Sequence, residues 1–158
     1  MIGRGAKVPA FSCCRRLSGH VRLSFLQPLD KPVPMVATAD IGRLAAELLQ
    51  EKWNDTRVVE LEGPHRGTPK EIAASFANLL ASPVKVEAVP RENWESLFRS
   101  QGMKNTEPRI QMLDGFNQGW IEFEAKEAGS RKGNVALDTV LRTLIERESG
   151  MRALSRAT

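Results

Sequence analysis

Ile41, Leu44, Ala45, Leu48 and Leu49 recur at i, i+3, i+4, i+7 and i+8, the single apolar stripe of an α-helix that Thr38 or Asp40 can cap. Arg43, Glu47, Gln50 and Glu51 take the opposite side, Trp53 packs near the end, and Asn54-Asp55 makes the turn. Residues 57–61, Arg-Val-Val-Glu-Leu, read as a strand, and Gly63-Pro64-His65-Arg66-Gly67 as a tight loop. Thr68-Pro69-Lys70-Glu71 then has every part of a helix start: Thr68 as N-cap, Pro69 in the first turn, Glu71 closing a capping box. Ile72, Ala73, Phe76, Leu79 and Leu80 form its buried stripe, and Pro83 ends it. Over residues 84–89 the period changes to two, with Val84, Val86 and Ala88 on one face and Lys85 and Glu87 on the other, which predicts a half-buried strand.

Helices are predicted over residues 92–101, anchored by Trp94, Leu97 and Phe98 and stopped by Gly102, and over 108–123, where Gly115 and Gly119 weaken the helix. Residues 126–133 read as a charged loop, and a last helix from about Asn134 carries Leu137, Val140, Leu141, Leu144 and Ile145. Upstream, residues 25–32 hold two prolines and read as loop, and residues 33–37 as a short extended run that Pro34 confines to an edge. The fold class is α/β, with about three strands and five helices. A doubly wound sheet usually has ~5–6 strands, so this pattern predicts an incomplete one.

Charge changes the picture mainly at the N-terminus. The 158 residues carry a net charge of +4, yet residues 1–23 hold Arg4, Lys7, Arg15, Arg16 and Arg22 and no acid. The remainder is nearly neutral, with 18 basic against 19 acidic side chains. A nucleic-acid binder concentrates basic charge on a folded face, so this distribution argues against nucleic acid as a partner. Residues 1–23 are predicted to be a basic, unstructured leader, residues 24–148 the folded part, and residues 149–158 a flexible tail. The leader's composition also resembles a mitochondrial transit peptide. Cys13 and Cys14, the two cysteines, are adjacent, which suits neither a disulfide nor a metal knuckle. A reducing, cytoplasmic compartment is therefore the default. No apolar run approaches the ~18–20 residues that span a bilayer, so no membrane partner is expected.

Candidate chemistry is sparse. There is no tyrosine, Gly3-Arg4-Gly5 is the lone G-x-G, and no Walker loop, G-x-S-x-G elbow or His-rich metal motif occurs. No catalytic, cofactor-binding or metal-ligating residue is assigned. His20 falls in the leader. His65, Arg66 and Thr68 surround a loop between strand and helix, where amides and a guanidinium could hold an anion; an ordinary solvated turn explains the same residues. Trp94, Phe98, Met103, Met112, Phe116 and Trp120 read either as helix-packing core or as the lining of an apolar pocket. Glu122, Glu124 and Glu127 read as a solvated acidic face or, alternatively, as a paired-carboxylate site.

The stretch Phe25-Leu26-Gln27-Pro28-Leu29-Asp30-Lys31-Pro32-Val33-Pro34-Met35-Val36-Ala37-Thr38-Ala39-Asp40-Ile41-Gly42 resembles the C-terminal part of NmrA-like proteins, atypical short-chain dehydrogenase/reductases of NAD(P)-binding type. Arg57-Val58-Val59-Glu60-Leu61-Glu62-Gly63-Pro64 is similar to the family's next sheet strand, and Thr68-Pro69-Lys70-Glu71-Ile72 to the helix start after it. Met112-Leu113-Asp114-Gly115-Phe116-Asn117-Gln118-Gly119-Trp120 looks like the helical cover of the substrate cleft. The resemblance spans about residues 24–146. It implies an incomplete Rossmann-like fold, the C-terminal half of an NmrA-like domain, with residues 1–23 standing where the cofactor-binding half is expected. NAD(P) is implied as the cofactor of the full-length family and none is expected for this chain alone. The substrate-pocket candidates are Pro34, Met35, Trp94, Met112, Phe116 and Trp120. Whether the chain is an enzyme stays open, since short-chain dehydrogenases commonly use a Tyr–Lys pair and this chain has no Tyr.

Two functions are therefore expected. One is the substrate-side half of an NmrA-like oxidoreductase or redox sensor, taking a small-molecule substrate and needing a second chain, or a copy of itself, to complete the sheet. The other is a protein–protein interaction module docking through an exposed sheet edge at residues 57–61 and the helix at 137–145. A leader-driven nucleic-acid binder is a third and weaker idea.

Overall fold

The structure, a computed structural model, describes residues 14–17 and 20–156. It is a mixed α/β fold. Strands β1 (Cys14–Leu17) and β2 (His20–Phe25) lead to helix α1 (Thr38–Leu48), the short strand β3 (Leu61–Glu62), helix α2 (Pro69–Leu80) and strand β4 (Val84–Ala88). A 3-10 turn at Arg91–Asn93 runs into α3 (Trp94–Ser100), followed by α4 (Glu107–Gln118), the four-residue α5 (Lys126–Gly129), β5 (Arg131–Lys132) and α6 (Leu137–Arg156).

The main sheet has the order β1-β2-β4, with β1 antiparallel and β4 parallel to the central β2. Residues 20–25 alternate, so Val21, Leu23 and Phe25 share a face. On that face Val21 and Leu23 are buried with Ala73 and Phe76 of α2 and Leu141 of α6, and Val84, Val86, Leu137 and Ile145 pack around them. The opposite face is polar: Ser24 donates to Glu87 at 3.0 Å, and Arg22 pairs with Glu87 at 3.4 Å. Among the described residues this sheet is therefore covered on one side, whereas parallel sheets of doubly wound proteins are buried on both.

Four expectations are corrected here. The reading of residues 1–23 as an unstructured leader does not hold for residues 14–17 and 20–23, which are strands; β2 is the centre of the sheet because Val21 and Leu23 are core residues. The rest of that leader, Cys13 included, lies outside the described residues. The strand expected over residues 57–61 shrinks to Leu61–Glu62 and joins no main sheet; it pairs in parallel with β5, inside the expected loop at 126–133. Val58 is consequently exposed rather than an inner-sheet residue. The expected tail at 149–158 is helical to Arg156. Finally, the helix predicted to reach residue 123 stops at Gln118, because Gly119 adopts a left-handed conformation (φ 85°) and the amides of Gly119, Trp120 and Ile121 all fold back onto the Gly115 carbonyl. Gly115 makes that return feasible: a Cβ there would stand 2.5 Å from Ile121 and 2.9 Å from Trp120.

Local chemistry accounts for the elements that match. Thr68 accepts from the Glu71 amide while Glu71 accepts from the Thr68 amide, the reciprocal capping box, with Pro69 in the first turn. A second core lies under α3 and α4, where Trp94, Phe98 and Ile110 are buried against Leu26, Val89, Leu97, Met103 and Leu113. The segment 26–31 is tied to the end of α4: Asn117 donates to the Leu26 carbonyl (2.8 Å), and the Lys31 ammonium reaches the Phe116 and Asn117 carbonyls (2.6 and 2.7 Å), a cation on a helix C-terminus.

Candidate functional site

The most developed polar cluster surrounds Glu62, at the end of β3 beside the loop at 63–67. Its side chain is almost wholly buried. Oε1 accepts from the Ser130 hydroxyl and the Lys132 ammonium, each at 2.5 Å, and Oε2 from the Arg66 guanidinium at 2.8 Å. Ser130 and Lys132 lie at and beside β5, so the two-residue ladder β3–β5 places these donors on a carboxylate 68 and 70 residues away in sequence. Burial by itself would push this carboxyl up. The Lys132, Ser130 and Arg66 donors outweigh it and hold the group at about 2, against 4.5 ordinarily.

The loop is pinned from its other side. Val33 bridges Gly67 in antiparallel fashion, and the Gly63 amide donates to the Met35 carbonyl at 2.5 Å. Gly63 must be glycine for this approach, since a Cβ would stand 2.5 Å from that carbonyl oxygen. The extended run expected at 33–37 thus exists as a single bridge, with Pro34 lacking an amide between the two bonded residues.

A depressed pKa signs the pH response. Glu62 contributes stability that is fully present above about pH 4.5 and is lost as pH falls toward about 2. Replacing it with glutamine is expected to lower unfolding free energy by about 3 kcal/mol at pH 7, the lower end for breaking a buried ion pair because Lys132 is partly exposed, since it removes the countercharge of Lys132 and one of the two carboxylates on Arg66. The same variant should flatten the loss of stability between pH 4.5 and pH 2.5. Urea unfolding at pH 7, 4 and 3 measures both; an unchanged slope against pH would show that Glu62 titrates alike in the folded and unfolded chain.

The sequence-predicted anion residues have other partners. Arg66 lies on Glu62 and also on Glu122 at 3.3 Å, and the Thr68 amide donates to Glu71 at 2.7 Å. His65 is exposed. The helix N-terminus and the guanidinium are both faced by carboxylates of the chain itself, so an incoming anion would have to displace them.

The predicted pocket residues disperse. Trp94 is 4% exposed inside the second core, its indole N–H bonded to the Val89 carbonyl at 2.9 Å. That is the packing alternative, and it removes Trp94 from a pocket wall. Met112, Phe116 and Trp120 stand on the outside of α4 and its cap, 45%, 43% and 63% exposed. Met35 is half-buried, its methyl close to Gly67, and Pro34 is exposed. Phe98 and Met103 belong to the second core. Of the acidic trio, Glu122 pairs with Arg66 and Glu124 borders a cleft, while the side chain of Glu127 lies outside the described residues.

That cleft, of about 300 Å³, is lined by Arg57, Val58, Val59, Glu60, Glu124 and Arg131 among others. Glu60 is anchored in it by the amides of Glu124 and Ala125 at 2.7 and 3.0 Å. Sequence reasoning missed this cleft and the Glu62 cluster. Each brings together residues more than 60 positions apart, and neither Glu60 between Val59 and Leu61 nor Glu62 between Leu61 and Gly63 carries a signal of those distant partners. Among the described residues no group of three or more His, Cys, Asp or Glu side chains could hold a metal ion, and no helix is long and apolar enough to cross a membrane.

No family model, curated protein or solved structure matches this chain.

Proposed function

We propose that these residues form the substrate-side part of an NmrA-like NAD(P)-binding domain, of oxidoreductase or redox-sensing type, which acts with a further polypeptide and neither holds a dinucleotide nor transfers hydride by itself. The observation that carries this reading is the β2–α2–β4 arrangement. Two parallel neighbouring strands are joined by a long connection that passes through α1 and β3 and ends in α2, the helix that packs on them as in the repeating element of a Rossmann-like sheet, and among the described residues this sheet has three strands.

Dinucleotide binding requires a Gly-rich turn that brings backbone amides and an open helix N-terminus to the pyrophosphate. Here α2 follows the short strand β3, but its N-terminus is closed by Glu71 and its loop reads Gly63-Pro64-His65-Arg66-Gly67. Without tyrosine there is no Tyr–Lys acid–base pair. The substrate contribution of this chain is the exposed α4 surface of Met112, Phe116 and Trp120, beside the loop anchored by Lys31. NADPH titrated to about 1 mM, followed by calorimetry and nicotinamide fluorescence, is expected to show no saturable binding. A Kd in the micromolar range would mean about 8 kcal/mol of recognition and would overturn the reading.

A second reading, a protein-docking module, is favoured by one observation. Ile41, Leu49, Trp53 and Val58, all within 18 residues of chain, are large apolar residues exposed by 40% or more. It no longer runs through the C-terminal helix, whose Leu137, Leu141 and Ile145 are spent on α2 and the sheet. Light scattering distinguishes it: a stable monomer at about 100 µM speaks against self-docking.

A further inference from the structure

Helix α1 buries one of its eleven residues, and that residue is a carboxylate. Asp40 is 2% exposed, whereas Ile41 beside it is 47% exposed and Leu49 at the C-cap 86%. Leu44 and Leu48 are half-buried. The periodicity that makes α1 a helix therefore does little to hold it in place, since tertiary burial of the apolar stripe is what normally anchors a helix of this length.

Asp40 does not serve its own helix end. The N-cap of α1 is Ala37, which offers no side-chain cap. The carboxylate instead reaches across to the segment between β5 and α6. Oδ2 accepts the Val135 amide at 2.9 Å, and Oδ1 accepts the guanidinium of Arg43, one turn on, at 2.7 Å. Gly133 lies so close beneath that a Cβ there would stand 2.4 Å from Oδ2 and 2.7 Å from the carboxyl carbon. Gly133 is itself fixed, its amide donating to the Glu62 carbonyl at 2.7 Å. The seat is thus built on both sides. A glycine leaves the space, a backbone amide supplies the bond, and the β3–β5 ladder holds the seat rigid. A buried carboxylate without such donors would be strongly unfavourable, so the fit at Gly133–Val135 decides whether α1 lies down.

We infer that α1 is a strap latched through Asp40, and that it lifts off the Gly133–Val135 segment as a unit while both hydrophobic cores remain folded. The inference is independent of any assignment of function, since it rests on the Asp40 geometry alone. The cores contain no residue of α1, so lifting it leaves Val21, Leu23, Phe76, Leu141, Trp94 and Phe98 packed as before. Release uncovers the Val135 amide and the half-buried Leu44 and Leu48, which lie next to the already exposed Ile41 and Leu49.

Amide hydrogen exchange of the whole chain, read by mass spectrometry, tests this. In the unsubstituted protein, peptides from α1 are expected to exchange at least about tenfold faster than peptides from α2, through an opening with a weaker dependence on denaturant than that of α2. Asp40→Asn keeps the shape but weakens the acceptor, and is expected to speed α1 exchange by about a further tenfold, leaving α2 and β4 unchanged. Gly133→Ala, which fills the seat, should give the same pattern. Exchange of α1 and α2 at one rate with one denaturant slope would overturn the inference, as would an equal rise in both helices in the variants. If neither variant folds, the denaturant slopes of the unsubstituted chain still decide it.

Discussion

Truncation of Leu23 to alanine is expected to lower the unfolding free energy by about 3 kcal/mol, within the range of 2–5 kcal/mol seen for buried leucines. Leu23 is 3% exposed at the centre of β2, flanked by β1 and β4 and enclosed by α2 and α6. The next residue back, Arg22, faces the other side of the sheet and pairs with Glu87 across partly exposed surface. Arg22→Ala should therefore cost under about 1 kcal/mol. Urea denaturation of the two variants with unchanged m-value gives the comparison. With m of about 1–3 kcal/mol per molar, the Leu23 variant should lose about 1–3 M in midpoint. Equal and small effects at the two positions would mean that residues 20–25 are not the centre of the fold.

Phe98→Ala is expected to be at least as damaging, about 3–5 kcal/mol. Phe98 is 0% exposed, between Trp94 and Ile110, and the Arg109 guanidinium sits 4.7 Å from its ring centre. Removing the ring leaves a cavity that α3 and α4 can close only by moving together, and it strips Arg109 of a cation–π partner, a smaller contribution of about 0.5–1 kcal/mol. Trp94 reports the event. It is 4% exposed, against 40% for Trp53 and 63% for Trp120, so a red shift of the emission comes mainly from Trp94. A variant with unchanged midpoint and unshifted emission would show that α3 and α4 do not share a core.

One set of aromatic and methionine positions divides into Trp94, Phe98 and Met103, which hold α3 and α4 together, and Met112, Phe116 and Trp120, which face outward. Helical spacing identifies both groups as a stripe, and only the partner surface separates packing from exposure. The same holds for α1. Its stripe is readable as a helix, and the helix is there, but Ile41 stays 47% and Leu49 86% exposed. A residue's period shows which side it takes. It carries no information on whether another element lies opposite.

The N-terminal strands were missed for a different reason. Residues 1–23 stand out by lacking acids, and composition of that kind suggests an unfolded leader. The alternation of Val21, Leu23 and Phe25 with Arg22 and Ser24 is nevertheless a strand signal of period two. Charge bias describes a segment's average, whereas burial depends on the order of its residues, and here the order prevails.

By itself the sequence determined the elements whose causes are local: the capping box and proline that start α2, the alternation of β4, the glycine that stops α3 and the proline in the first turn of α4. The caps, prolines and glycines rest on bonds and steric limits spanning four residues or fewer, and the period-two alternation of β4 marks its two faces before its partner β2 is known. Only the tertiary structure decided that β2 is the middle strand, that residues 57–60 lie outside the sheet, and that Glu62 and Asp40 are the two carboxylates enclosed by donors from residues 130–135. The pairing of β2 with β4 and the donors that residues 130–135 bring to Glu62 and Asp40 each join positions 60 or more apart. Their free energy comes from desolvation and from partners brought together by the fold, and neither is encoded in the neighbours along the chain.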